Sequence, residues 1–95
     1  MNYFVYLIVN INKKEGKILS YVGYTSDLKK RLSLHNNSKG AKFTKGRSWK
    51  LAYSKRYDSK NIALKEEYRL KHNYKLRNNI KIKFIKNEDI NTSTL

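Results

Sequence analysis

Glu67 is the most unusual of five side chains whose types could do chemistry; the others are Tyr6, Tyr21, Arg31 and His35. The stretch from Lys60 to about Tyr74 reads as a helix capped by Asp58-Ser59, with Ala63, Leu70 and Tyr74 marking its apolar stripe. Glu67 falls inside that stripe, four residues after Ala63 and three before Leu70. A carboxylate placed there loses hydration and must find a cation or a metal ion. The chain has no cysteine, and His35 and His72 are its two histidines. That composition excludes thiolate sites and argues against zinc held by protein ligands. Any metal here should be a hard ion held by a carboxylate, water and substrate phosphate.

The other four residues depend on the elements that carry them. Tyr3 to Val9 is apolar at every position and reads as a strand covered on both faces. Asn10 to Lys17, with Glu15-Gly16, reads as a hairpin loop, and Ile18 to Tyr24 as the returning strand. A turn centred on Lys13 and Lys14 sets Tyr6 directly opposite Tyr21, with Cβ atoms about 5 Å apart. Thr25-Ser26-Asp27 starts a helix, a hydroxyl cap followed by an acid in the first turn. Leu28 and Leu32 face inward, and Arg31 and His35 border their stripe. Asn36 to Lys50 is a basic loop, and Leu51 to Tyr57 a third strand. Ile80, Ile82 and Phe84 alternate with lysines as in a strand. One domain over 1–86 and a C-terminal tail over 87–95 are expected.

Each residue also has an ordinary structural explanation. The tyrosines are explained by cross-strand packing, Arg31 by a pair with Asp27, His35 by its helix C-terminus, and Glu67 by an ion pair with Lys71.

Twenty-two Lys and Arg against seven Asp and Glu leave a net charge of +15. Such a field draws polyanions, and nucleic acid is the first candidate partner. Lys29, Lys30, Lys42, Lys45 and Arg47 form a candidate phosphate-binding face. Phe43 is placed to stack on exposed bases, and Trp49 either does the same or belongs to the core. No apolar run approaches the roughly 20 residues of a membrane-spanning helix. The apolar N-terminal segment lacks the flanks of a signal peptide, so a cytoplasmic or nucleoid-associated protein is expected.

Phe4-Val5-Tyr6 and Tyr21-Val22-Gly23 resemble the paired tripeptides that name the GIY-YIG nuclease family, with Phe4 standing where glycine is usual. Arg31 and His35 stand where that family places its helix arginine and a following His or Tyr. Lys39-Gly40-Ala41-Lys42-Phe43-Thr44-Lys45 resembles the basic loop of its small stand-alone members, and Ala63-Leu64-Lys65-Glu66-Glu67 resembles its metal-site segment. The five pieces occur in order from about Tyr3 to Tyr74. The resemblance implies an α+β fold, a small central three-stranded antiparallel β-sheet flanked by helices. It also implies hydrolysis of DNA phosphodiester bonds with one Mg²⁺ or Mn²⁺ ion, ligated by Glu67. In that scheme Arg31 clamps the scissile phosphate. Tyr21, or a metal-bound hydroxide, activates water; Tyr6 holds Tyr21 or the water across the sheet, and His35 relays a proton or fixes a tyrosine hydroxyl. The resemblance implies helix over 79–86 where the alternation reads as strand, and the point stays open.

Two other readings fit the same charge. One is a catalytically inactive basic nucleic-acid-binding module, and the other a small RNA-scaffolding protein. For an endonuclease of this size, any preference for structured or branched DNA must come from DNA shape, the basic loop or a protein partner.

Overall fold

Strand β1 (Tyr3–Asn12) is apolar throughout its first half because it is the middle of a three-stranded sheet. In the computed structural model, which describes residues 2–12 and 15–93, β2 (Lys17–Thr25) and β3 (Lys50–Tyr57) flank it, both antiparallel. Alternate β1 residues therefore serve two cores. On one face Val5, Leu7 and Val9 join Val22 and meet Ala63 and Leu70 of α2 (Lys60–His72), with Ile80 and Phe84 of α3 (Tyr74–Ser93) against them. On the other, Tyr6 and Ile8 pack with Trp49 and with Leu28 and Leu32 of α1 (Leu28–Asn36). Each fully buried aliphatic side chain contributes about 2 kcal/mol. Among the described residues no helix is long and apolar enough to cross a membrane.

The β1–β2 register differs from the expected one. Tyr6 pairs with Gly23, and Tyr21 with Ile8. The turn sits nearer β2 because Gly16 takes a left-handed conformation (φ 64°) and Asn12 Oδ1 accepts the Glu15 N–H at 3.2 Å. A slip of two residues preserves side-chain facing, so Tyr6 and Tyr21 remain on one side as diagonal neighbours.

Gly23 is demanded by this register. The Tyr6 ring lies across it, and a Cβ there would meet the Tyr6 hydroxyl and come within 2.6 Å of Cζ. Gly23→Ala is expected to lose about 1–3 kcal/mol by overpacking, measured by urea denaturation. A loss within experimental error would show that the ring does not lie there.

Three helix boundaries depart from expectation. Asp27 itself caps α1, accepting the Lys30 N–H at 3.1 Å, while the Thr25 hydroxyl accepts the Asp27 N–H at 3.1 Å. Helix α2 ends at His72 because Asn73 turns the chain, its Oδ1 accepting the Leu76 N–H at 3.0 Å. Tyr74 consequently opens α3 and is exposed, instead of extending the stripe of α2. The stretch 79–86 is helical. Ile80 and Phe84, one helical turn apart, pack on the core while Ile82 is exposed. Spacing by four satisfies both periods, which is why the alternation looked like a strand. The helix continues past Asn87 to Ser93.

Candidate active site

The site begins in the middle of the sheet. Tyr6 is buried on β1, and His35, in the last turn of α1, has no exposed surface. Tyr6 Oη lies 2.8 Å from His35 Nε2, and His35 Nδ1 lies 2.8 Å from Thr44 Oγ1. From the preceding turn of α1, Arg31 Nε donates a long hydrogen bond, 3.4 Å, to Tyr6 Oη. The backbone of Gly40 covers the His35 ring so closely that a Cβ there would lie 2.9 Å from Cε1. Tyr21 completes this wall, its ring centre 5.1 Å from that of His35.

The loop that carries Thr44 is pinned from below. Asn36 clamps Trp49 through both backbone groups, accepting its N–H at 2.6 Å and donating to its carbonyl at 3.1 Å. The Trp49 indole N–H then donates to the Thr44 carbonyl at 2.9 Å. Trp49 is thus a core residue. Phe43 is its exposed counterpart, near-parallel to Tyr21 (19°, centres 6.4 Å apart) with the Arg47 guanidinium 5.9 Å from its centroid.

Burial sets the electrostatics of this cluster. It pushes the Tyr6 phenol up, against the smaller pull of Arg31. It pushes the His35 imidazole down, and the Arg31 charge adds to the effect. The Tyr6 hydroxyl beside Arg31 holds the guanidinium more firmly protonated.

Glu67 stands on α2, which packs against β1 and the edge strand β2. Its side chain is only 16% exposed and pairs with Lys71 Nζ at 2.9 Å. That bond is the main reason the Lys71 ammonium is held up, with a smaller contribution from Tyr21. The Glu67 charge is felt in turn at Tyr6.

Tyr6, Tyr21, Arg31 and His35 therefore come together as one cluster, whereas Glu67 lies on the helix of the other sheet face, bonded to Lys71, and only its charge is felt at Tyr6. Tyr6 bonds to His35 and Arg31 and not to Tyr21, so of the expected contacts it is His35 holding a tyrosine hydroxyl that is present. Arg31 meets Asp27 through a backbone bond of 3.0 Å, its side chain being turned to Tyr6. Lys29, Lys30, Lys42, Lys45 and Arg47 are all exposed. Thr44, Gly23 and Gly40 were not singled out beforehand. Gly23 alone had a sequence signal, as the glycine of the second family tripeptide. Lys60 was also missed; with Arg31, Tyr3, Tyr24, Thr25 and Ser26 it lines an open groove of about 440 Å³.

Residues 2–81 match the family model described as the GIY-YIG catalytic domain. The chain belongs to the GIY-YIG family. It is 39% identical over 69 residues to a UPF0213 protein of Oceanobacillus iheyensis, across 72% of this chain and 80% of that one. It is 44% identical over 69 residues to a UPF0213 protein of Streptococcus agalactiae serotype V, across 72% and 78%. The solution NMR structure of a UPF0213 protein from Bacillus halodurans is 34% identical, covering 87% of this chain and 84% of that chain, with a TM-score of 0.46. GIY-YIG domains are generally endonucleases, which assigns the chain to the nuclease class; the UPF0213 names specify no activity. In this GIY-YIG domain the glycine of the second tripeptide has a physical reason, because the tyrosine of the first lies across it.

His35 also predicts a pH dependence. Its native pKa is depressed below the ordinary value of about 6.5. Below that value the unfolded chain takes up a proton that the native site resists, so stability falls with pH until the native pKa is passed. The slope is at most about 1.4 kcal/mol per pH unit. Denaturant midpoints between pH 7 and 5 should therefore decline more steeply in wild type than in His35→Asn. Equal slopes would mean that His35 titrates as a solvated imidazole.

Proposed function

We propose that this chain is an endonuclease that hydrolyses DNA phosphodiester bonds with one Mg²⁺ or Mn²⁺ ion held by Glu67. The observation that carries this reading is the half-buried Arg31 guanidinium, set on the Tyr6–His35 pair in the cleft reached by the charge of Glu67.

Glu67 suits the ion by its chemistry. It is one mostly buried carboxylate, already balanced by a cation. Among the described residues no group of three or more His, Asp or Glu side chains is placed to ligate a metal. A single carboxylate matches an ion that keeps several waters and takes a substrate oxygen, as Mg²⁺ does. When bound, such an ion supplies charge neutralisation at the phosphate and makes water more acidic.

The protein groups divide the remaining work. Arg31 offers its planar fork to the non-bridging phosphate oxygens, where negative charge accumulates. Tyr21, half-exposed at the cleft wall, orients the attacking water or accepts its proton. Tyr6 is a positioning residue, since burial keeps its phenol neutral and its oxygen receives the Arg31 N–H. The groove shared by Arg31 and Lys60 takes the flanking backbone, and the exposed cations of the loop add sequence-independent attraction. Preference for structured or branched DNA would arise from this shape or from a protein partner.

The Glu67–Lys71 pair favours a second reading, an inactive binding module in which Lys71 permanently takes the place of a metal. Cleavage of linear, flap and branched DNA in EDTA, Mg²⁺ and Mn²⁺ separates the two. Metal-dependent cutting supports the nuclease; salt-sensitive binding with no cutting under any condition establishes the module.

A further inference from the structure

Thr44 is a fully buried polar side chain to which the proposed mechanism assigns no role. Its hydroxyl sits in a closed set of contacts. It donates to the Ala41 carbonyl at 2.9 Å, accepts the Ala41 N–H at 3.1 Å, and lies 2.8 Å from His35 Nδ1. A hydroxyl has one hydrogen; directed to the Ala41 carbonyl, which also takes the Thr44 N–H at 3.1 Å, it leaves the oxygen free to accept from the Ala41 N–H and from the ring. The imidazole must then supply the hydrogen shared with Thr44, so Nδ1 carries the ring proton. A neutral imidazole carries only one, leaving Nε2 bare. Nε2 can only accept, so the hydrogen between it and Tyr6, 2.8 Å away, comes from the phenol. The Tyr6 oxygen consequently turns its proton into the protein and a lone pair toward Arg31 Nε.

We propose that Thr44 is a positioning residue, fixing the His35 tautomer and through it the direction of the Tyr6 proton and the seating of Arg31. The proposal rests on the nuclease reading only for its consequence in catalysis. Reversing the chain shows what is at stake. If Thr44 donated to Nδ1, the ring would donate through Nε2 to Tyr6. The phenol hydrogen would then be free of His35, and the Tyr6 oxygen would have to accept from both Nε2–H and Arg31 Nε while its own hydrogen sought a new acceptor. The direction of the phenol proton and the seating of Arg31 would no longer be fixed. Two surrounding features keep the two side chains together: Trp49 holds the Thr44 carbonyl at 2.9 Å, and the Gly40 backbone closes over the imidazole.

The test is ¹⁵N NMR of histidine-labelled protein in a His72→Gln background, where the remaining ring signals belong to His35. Wild type is expected to show a protonated Nδ1 and a bare Nε2 at neutral pH. Thr44→Ser should keep that pattern, and Thr44→Val should shift it toward Nε2–H. In cleavage assays Thr44→Val should lower kcat roughly tenfold with KM little changed, and Thr44→Ser should restore it. An Nε2–H tautomer in the wild type, or an unchanged tautomer in Thr44→Val, overturns the proposal. Should Thr44→Val fail to fold, the wild-type and Thr44→Ser spectra still decide it. If no protein cleaves DNA, the nuclease reading fails while the tautomer result stands on its own.

Discussion

Glu67→Gln is expected to reduce DNA cleavage about a thousandfold while leaving DNA affinity nearly unchanged. The amide keeps the volume and the helical phase of the residue, so packing beside Ala63 and Leu70 should survive. What disappears is one negative charge in a site whose other nearby groups are cations and phenols. Without it the cleft has no oxygen anion to offer a divalent ion, and repulsion from Arg31 and Lys71 goes unopposed. Stability should change little. The Lys71 side chain is 47% exposed and can return its ammonium to water when its partner is lost. The measurements are single-turnover cleavage at saturating Mn²⁺, fluorescence anisotropy with an uncleavable duplex, and a thermal melt. A variant that folds, binds DNA and cuts within tenfold of wild type would remove Glu67 from the metal site.

How far this arrangement could be anticipated depends on the kind of interaction holding each residue. The all-apolar run of β1 announces a central strand, because only a strand covered on both faces tolerates Val5, Tyr6, Leu7, Ile8 and Val9 in succession. Glu67 stands out for a related reason, since helical phase alone puts it between the buried Ala63 and Leu70. Both are local periodicities, readable along the chain. The hairpin register was not, because it turns on the left-handed Gly16 and not on the midpoint of the polar loop. The helix over 79–86 came from the family resemblance, because periodicity alone could not give it. Ile80 and Phe84 satisfy both periods, and only the neighbouring core decides between them. Thr44 lies beyond local reading altogether. Its partner His35 is nine residues away, and the contact exists because Asn36 and Trp49 fold the basic loop back onto α1. The family pattern supplied what periodicity lacked for Arg31 and His35. It allowed for His35 holding a tyrosine hydroxyl but did not indicate that Arg31 would also bond to Tyr6.

Arg31 is where charge, geometry and packing can be separated. Arg31→Lys keeps the charge but loses the fork and the Nε contact with Tyr6. It is expected to lower kcat/KM about a hundredfold, and Arg31→Ala about a thousandfold. The alanine variant should also lose about 1 kcal/mol of stability. The arginine stem lines an apolar recess with Ile8, Leu28, Leu32 and Leu51, and that packing goes with it. A second consequence does not depend on cleavage at all. The Arg31 charge helps to hold the His35 imidazole down, behind burial as the larger cause. Removing it should let the His35 pKa rise part of the way toward its ordinary value, and Arg31→Lys should raise it less, by as much as the ammonium fails to occupy the same place. NMR titration of His35 in the three proteins reads this directly. If Arg31→Ala impairs cleavage but leaves the His35 titration where it was, the guanidinium acts on DNA from outside the Tyr6–His35 cluster, and the single cleft must be redrawn as two sites.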